Sequence, residues 1–101
     1  MTRRRSAPEQ RLGDILPGIV RLAQQRQKAL ATIQARWPRL VGPELAAHTK
    51  PVSLRRGRLV VHVAQPGDAF ALSYERARVL ARLQRVRDLK VEEVIIRAGD
   101  V

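Results

Sequence analysis

The sequence predicts an α+β domain in which helices pack on one face of a three-stranded sheet, in the order α-β-β-α-β. Two observations support this. Apolar residues recur at helical spacing in the first and last thirds of the chain. Between these segments, two short runs of alternating apolar residues are joined by a glycine-containing turn, which is typical of a β-hairpin. A chain of 101 residues has room for one domain.

The N-terminal segment is strongly basic. Residues 1–11 contain Arg3, Arg4 and Arg5 in succession and few apolar side chains. We therefore expect a flexible basic arm ahead of a globular domain that covers residues 12–101.

The first helix is expected to begin after Asp14, which is suited to be its N-cap. It should end or kink at Trp37, because the residue before a proline avoids the helical region. Arg26 stands where the apolar stripe of this helix calls for an apolar residue. The pattern is therefore compatible with a break in the helix over residues 25–27. A short helical turn is expected over residues 44–48. The apolar positions of the first helix are Leu12, Ile15, Leu16, Ile19, Leu22, Ala23, Leu30, Ile33 and Trp37.

The middle of the chain predicts the hairpin. One strand covers residues 50–54, where Val52 and Leu54 alternate, and the turn covers residues 55–58. The second strand covers residues 59–63. Its residues on one face are Leu59, Val61 and Val63, and those on the other are Val60 and His62.

A second helix is expected from about Ala69 to Asp88, with Asp68 as its N-cap, and a last strand from Val91 to Arg97. One apolar stripe of this helix contains Leu72, Val79, Leu80, Leu83 and Val86. A stripe that we expect to adjoin it contains Phe70, Tyr74, Ala77 and Ala81, with Arg78, Arg82 and Arg85 beyond.

The aromatic residues are interpreted first as core. Trp37 should pack against the sheet, and aromatic side chains at helical spacing are usually buried. The alternative for Phe70 and Tyr74 is a stacking or docking surface. The predicted partner-binding residues are Trp37, Phe70 and Tyr74.

The charge balance favours a polyanionic partner. The chain has 20 Lys and Arg against 9 Asp and Glu, a net charge of +11. Such a field attracts nucleic acid, an acidic protein surface or an anionic membrane. Most of the bases are arginine, whose planar fork suits bidentate contact with phosphate. A GC-rich genome would also favour arginine over lysine, but it does not explain the net charge.

The best candidates for nucleic-acid contact are basic side chains on protruding segments. The hairpin turn can reach phosphates without moving the core, and binding through it should weaken steeply with salt. We expect the three turn arginines to dominate DNA affinity, and a merely soluble charged surface is the alternative. The predicted nucleic-acid residues are Arg55, Arg56, Arg58, Lys50, Arg78, Arg82, Arg85, Arg3, Arg4 and Arg5.

Catalysis is poorly supported by the sequence. His48 and His62 lie in no recognised catalytic or metal-binding spacing, and Glu44 is better explained as a surface partner of His48. There is no cysteine and no phosphate-binding glycine loop. We therefore predict no catalytic residue, no metal, no cofactor and no small-molecule substrate. No apolar stretch is long enough to span a membrane, so we expect a cytoplasmic protein without a membrane partner.

The segment from Trp37 to Pro51 (WPRLVGPELAAHTKP) resembles the W-x-x-I/V-V-G-x-x-L-A-x-H-T-x-P signature of the bacterial DciA family. The resemblance continues through the hairpin, where a turn glycine precedes L-x-V-x-V, and covers roughly residues 12–98. The family's next helix begins W-A-x-E-L, and this chain has Phe70, Ser73 and Tyr74 in place of its Trp, Glu and Leu.

The resemblance implies a KH-like globular domain without the usual GxxG loop, which agrees with the absence of that motif here. It implies a non-enzymatic adaptor that acts with the DnaB-type replicative helicase and helps load it on DNA, without the ATPase of DnaC-type loaders. It also implies contact with single-stranded or tailed DNA, and so a nucleoid-associated location. The alternatives are a KH-like RNA-binding module and a protein-interaction domain whose charge serves solubility.

Overall fold

A computed structural model describes residues 17–101 of the chain. The predicted basic arm with Arg3, Arg4 and Arg5, and the predicted cap Asp14, lie outside the described residues. The elements are α1 (Pro17–Val41), α2 (Pro43–Ala47), β1 (Thr49–Arg55), β2 (Arg58–Val63), α3 (Pro66–Gln84) and β3 (Glu93–Ala98). The predicted α+β class, the three-stranded sheet and the α-β-β-α-β order are confirmed.

The sheet has the strand order β1-β2-β3. β1 and β2 pair antiparallel as a hairpin, whereas β2 and β3 pair parallel, with Leu59 beside Val94. Parallel neighbours need a crossover connection, and α3 supplies it. The register of β1 shifts between Pro51 and Ser53, which is a β-bulge. Because of it, β1 buries Pro51 and Leu54 and leaves Val52 only half-buried, so the alternation expected from Val52 and Leu54 does not place both in the core.

The core lies between one face of the sheet and the two long helices. As predicted, the alternation in β2 buries Leu59, Val61 and Val63, which are at most 2% exposed. The helices and β3 cover these side chains with apolar residues at core positions, which are chiefly Ile33, Trp37, Leu40, Leu72, Val79, Leu83 and Val94. Burial of this apolar surface is the main stabilising contribution to the fold.

Helix α1 continues through Pro38 to Val41, so it does not end at Trp37, and residues 25–27 are helical without a break. Proline removes one helical hydrogen bond. Burial of Trp37 and Leu40 on either side of it offsets that loss. The helix ends instead at Val41. The next residue, Gly42, has a positive φ of 94° that suits glycine, and its N–H donates to the Pro38 carbonyl at 2.9 Å.

Helix α3 begins at Pro66 and ends at Gln84, three residues earlier at its start and four earlier at its end than predicted. Proline is favoured in the first turn of a helix, where its missing N–H has no partner to lose. The N-cap is therefore Gln65, and Asp68 lies inside the first turn rather than at the cap. After Gln84 the chain forms a tighter turn with i to i+3 hydrogen bonding, in which the Val86 N–H donates to the Leu83 carbonyl at 3.0 Å.

The final strand is also displaced by a short distance from its prediction. β3 covers Glu93–Ala98, while Val91 is buried just before it begins. Across residues 17–101, no helix combines the length and the apolar character that crossing a bilayer requires.

Candidate nucleic-acid and partner-binding surfaces

Three of the predicted DNA-binding residues lie on the outer face of the sheet, opposite the core. Arg55 and Arg58 are directly paired across the hairpin, next to the inward pair Leu54 and Leu59. Because side chains alternate along a strand, both arginines point away from the core. Lys50 is exposed at the other end of β1.

Arg58 is not fully free for a ligand. Its Nε lies 3.6 Å from Oε2 of Glu93, its neighbour on β3. The two side chains are 67% and 57% exposed, so solvent screens the ion pair and it holds Arg58 only weakly.

Arg56 is separated from the other two hairpin arginines by the shape of the turn. The turn residues Arg56 and Gly57 both have positive φ, 53° and 79°, as a two-residue type I′ turn requires. Such a turn matches the twist of the strands but is normally formed by Asn-Gly, Asp-Gly or Gly-Gly. Arg56 thereby faces a different surface, so the cluster that the sequence predicts as one unit is divided in two.

That surface is a groove, called here the basic groove, at the hairpin-turn end of the molecule. It is lined by the first half of α1, by the turn and by the loop between α3 and β3. Its basic residues are Arg26, Lys28, Arg56, Arg87 and Lys90. Of these five, only Arg56 is predicted from the sequence to bind nucleic acid. Among the other four, only Arg26 has a local signal in the sequence, because it interrupts the apolar stripe of the first helix. Lys28, Arg87 and Lys90 join the groove only when the elements pack together.

The arginines of α3 lie elsewhere. Arg78 is 3.4 Å from Glu75 in an i,i+3 ion pair, and the Nη1 of Arg82 donates to the Leu40 carbonyl at 2.9 Å. Arg85 is exposed at the C-cap of α3. The predicted edge of three arginines is therefore partly engaged within the protein.

Arg78 and Arg82 line a second groove, called here the mixed groove, between α3 and residues 39–48. Its charged residues have both signs, and they are Arg39, Arg78, Arg82, Glu44, Asp68 and Glu75. The carboxylates would repel phosphate, so this groove suits a polyanion less well than the basic groove does.

Phe70 and Tyr74 are exposed, at 76% and 83%, so the interpretation of these two aromatic residues as core is wrong. The reason is the angular position of these residues around the helix axis. At about 100° per residue, Phe70 lies about 160° around the helix from the buried Leu72, so the aromatic stripe is opposite the core stripe and does not adjoin it. Exposed aromatic pairs of this kind are typical of contact surfaces.

Trp37 is buried at 3% exposure, as the core interpretation predicts. Its indole N–H donates to Oγ1 of Thr49 at 2.8 Å. The side chain is thus enclosed and hydrogen-bonded within the protein, which corrects the prediction that it contacts a partner.

The two histidines have local roles. His48 is the C-cap of α2, and its backbone N–H donates to the Leu45 carbonyl at 3.2 Å. His62 lies on the outer face of the sheet with Nδ1 3.2 Å from the Asp100 carbonyl. Within residues 17–101, acidic and histidine side chains do not gather in a group that could hold a metal ion.

Comparison with known protein families identifies the family of the chain. The family model described as "Dna[CI] antecedent, DciA" matches residues 11–96, which include every element except the end of β3. A search of curated protein sequences finds no significant match.

Proposed function

The chain belongs to the DciA family, and on that premise we propose that it is a non-enzymatic, DNA-binding adaptor that contacts the DnaB-type replicative helicase and helps to load it on DNA. The match over residues 11–96 is the observation that carries this proposal. The family implies a role of the helicase-loader type. The direct contacts with DNA and helicase, and a cytoplasmic location at the nucleoid, are our inference.

The charge of the chain supports the DNA-binding part. A net charge of +11 attracts phosphate, and exposed bases are distributed over the outer face of the sheet, the turn and α3. We assign DNA contact to the predicted residues Lys50, Arg55, Arg56, Arg58, Arg78, Arg82 and Arg85, together with Arg3, Arg4 and Arg5 of the arm. Arg58, Arg78 and Arg82 are expected to contribute less than the others, because each already has a partner within the protein.

Two exposed aromatic side chains support the helicase-binding part. Phe70 and Tyr74 lie one helical turn apart on α3 and place apolar rings in solvent. Aromatic side chains are enriched at the centres of protein interfaces, where their burial contributes much of the affinity. We therefore assign the helicase contact to the face of α3 that carries them.

The experiment is direct association of the full chain with the replicative helicase of the same organism, at moderate salt and with nuclease present. The adaptor proposal expects a stoichiometric complex that survives nuclease. The absence of any complex would overturn it. A competition between DNA and RNA of one sequence then separates the proposal from an RNA-binding module, which would prefer RNA.

The surface assignment needs its own variants. Phe70→Ala/Tyr74→Ala should abolish the complex without unfolding the chain, because both side chains are exposed. Ile19→Ala, which removes an apolar side chain that is 60% exposed on α1, is the matched control and should retain it. A complex of unchanged affinity in the double variant would place the helicase contact elsewhere.

A further inference from the structure

The basic groove brings together three elements that are distant in sequence. Arg26 and Lys28 come from α1, Arg56 from the hairpin turn, and Arg87 and Lys90 from the loop after α3. Asp88 is the one acidic residue among the groove residues within the described chain. None of the five bases forms a salt bridge with another residue of the 17–101 segment, so their charges are not neutralised there.

The walls of the groove are fixed by hydrogen bonds at both ends of the α3–β3 loop. The N–H groups of Glu92 and Glu93 donate to the Gly57 carbonyl at 2.7 and 3.1 Å, which ties the end of the loop to the hairpin turn. Gln84 donates from Nε2 to the Val91 carbonyl at 3.1 Å, which ties the loop to α3. The backbone next to Arg56 and Lys90 is therefore held in place before any ligand arrives.

Backbone strain is concentrated in the same place. Arg56 and Asp88, with φ of 53° and 67°, are the two non-glycine residues with positive φ in the described part of the chain, and both line the groove. The left-handed region is unfavourable for an arginine, and such residues cluster at functional sites. Asparagine would relieve this strain at position 56, so a requirement of the fold does not explain the arginine.

Apolar side chains also line the groove. They include Leu22, which is 44% exposed, Leu89, which is half-buried, and the largely buried Leu54. A lining that combines basic and apolar side chains matches a single nucleic-acid strand, whose phosphates are anionic and whose unpaired bases have apolar faces. A duplex presents mainly its phosphates and has no counterpart to the apolar part of the lining.

We propose that the basic groove binds the phosphodiester backbone of a single nucleic-acid strand, with Arg26, Lys28, Arg56, Arg87 and Lys90 as the phosphate contacts. The inference rests on the proposed DNA-binding function and deepens it. It moves the main DNA contact from all three arginines of the hairpin turn to Arg56 alone. Four basic side chains that are distant from the turn in sequence complete the site. Asp88 weakens the site, because its carboxylate repels phosphate.

The test is fluorescence anisotropy of a short labelled single-stranded DNA with the full chain, over a series of salt concentrations. Lys28→Ala/Lys90→Ala should weaken binding roughly tenfold at moderate salt. It should also make the slope of log affinity against log salt shallower by about 1.4, at roughly 0.7 for each phosphate that the variant no longer neutralises. The matched control is Arg36→Ala/Arg76→Ala, which removes two exposed arginines that line neither groove and should change affinity far less.

Two single variants separate binding from folding. Arg56→Asn creates the preferred sequence for a type I′ turn, so it should keep or raise the melting temperature while it lowers affinity. Asp88→Asn tolerates the same backbone conformation and removes the one carboxylate, so it should raise affinity severalfold. A lower melting temperature with unchanged affinity for Arg56→Asn would assign Arg56 to the fold and overturn its role in binding.

The remaining comparisons show whether the groove is the binding site and which class of ligand it binds. Equal losses of affinity in the groove and control pairs would show an effect of net charge alone and overturn the groove, while wild-type DNA binding would still support the proposed function. A wild-type chain that binds no strand would overturn both. RNA of the same sequence bound through the same residues would support the groove as a backbone site. Effective competition by poly-glutamate would overturn the assignment to nucleic acid and indicate an acidic protein segment.

Discussion

The indole N–H of Trp37 donates a 2.8 Å hydrogen bond to Oγ1 of Thr49, and that hydroxyl donates in turn to the Leu45 carbonyl at 2.8 Å. Both Trp37 and Thr49 are buried, at 3% and 4% exposure. This chain of two hydrogen bonds joins the end of α1, the short helix α2 and the start of β1. It gives a physical reason for the pairing of tryptophan and threonine within the segment that resembles the family signature.

Thr49→Val should lower the free energy of unfolding by about 1–3 kcal/mol, because it keeps the shape of the side chain but leaves the buried indole N–H without an acceptor. Chemical denaturation measures the change. Trp37→Phe/Thr49→Val tests the cause, since the added cost of Thr49→Val should be small once the donor has been removed. A full additional loss of stability in the double variant would contradict the explanation.

Gly99→Ala should destabilise the chain because of one close approach. An added Cβ would lie 2.7 Å from Cε1 and from Cγ of the His62 ring. Overpacking of this kind costs about 1–3 kcal/mol, and thermal melting would show the destabilisation. His62→Ala in the same chain should restore most of the stability, and Gly67→Ala, which meets no atom within 4 Å, is the control that should be neutral or slightly stabilising.

Arg82→Ala should reduce stability by about 1 kcal/mol, because the bond from its Nη1 to the Leu40 carbonyl joins α3 to the end of α1. Arg76→Ala, on an exposed position of the same helix, should change stability by less than about 0.5 kcal/mol. Denaturant midpoints compare the two. If both variants had the same stability, the hydrogen bond from Arg82 to the Leu40 carbonyl would make no measurable contribution to the free energy of unfolding.

The order of elements and the inward face of β2 were accessible from the sequence, because both depend on local periodicity. Alternation at Leu59, Val61 and Val63 marks a strand with one buried face whatever the rest of the fold does. Element ends were less accessible. Pro38 lies inside α1 with Trp37 and Leu40 buried around it, and no local sequence rule predicts that packing.

The α+β class, the strongly positive charge and the family follow from the order of amino acids alone, since composition, periodicity and a contiguous motif carry them. Which bases meet depends on the tertiary structure. Arg55 and Arg56 are adjacent in the chain, yet strand alternation and a type I′ turn direct them to different surfaces. Arg26, Arg56 and Lys90 are distant in the chain, yet packing of α1, the hairpin and the α3–β3 loop places them around one groove. Charge is a property of the residues, whereas a binding site is a property of their positions in space.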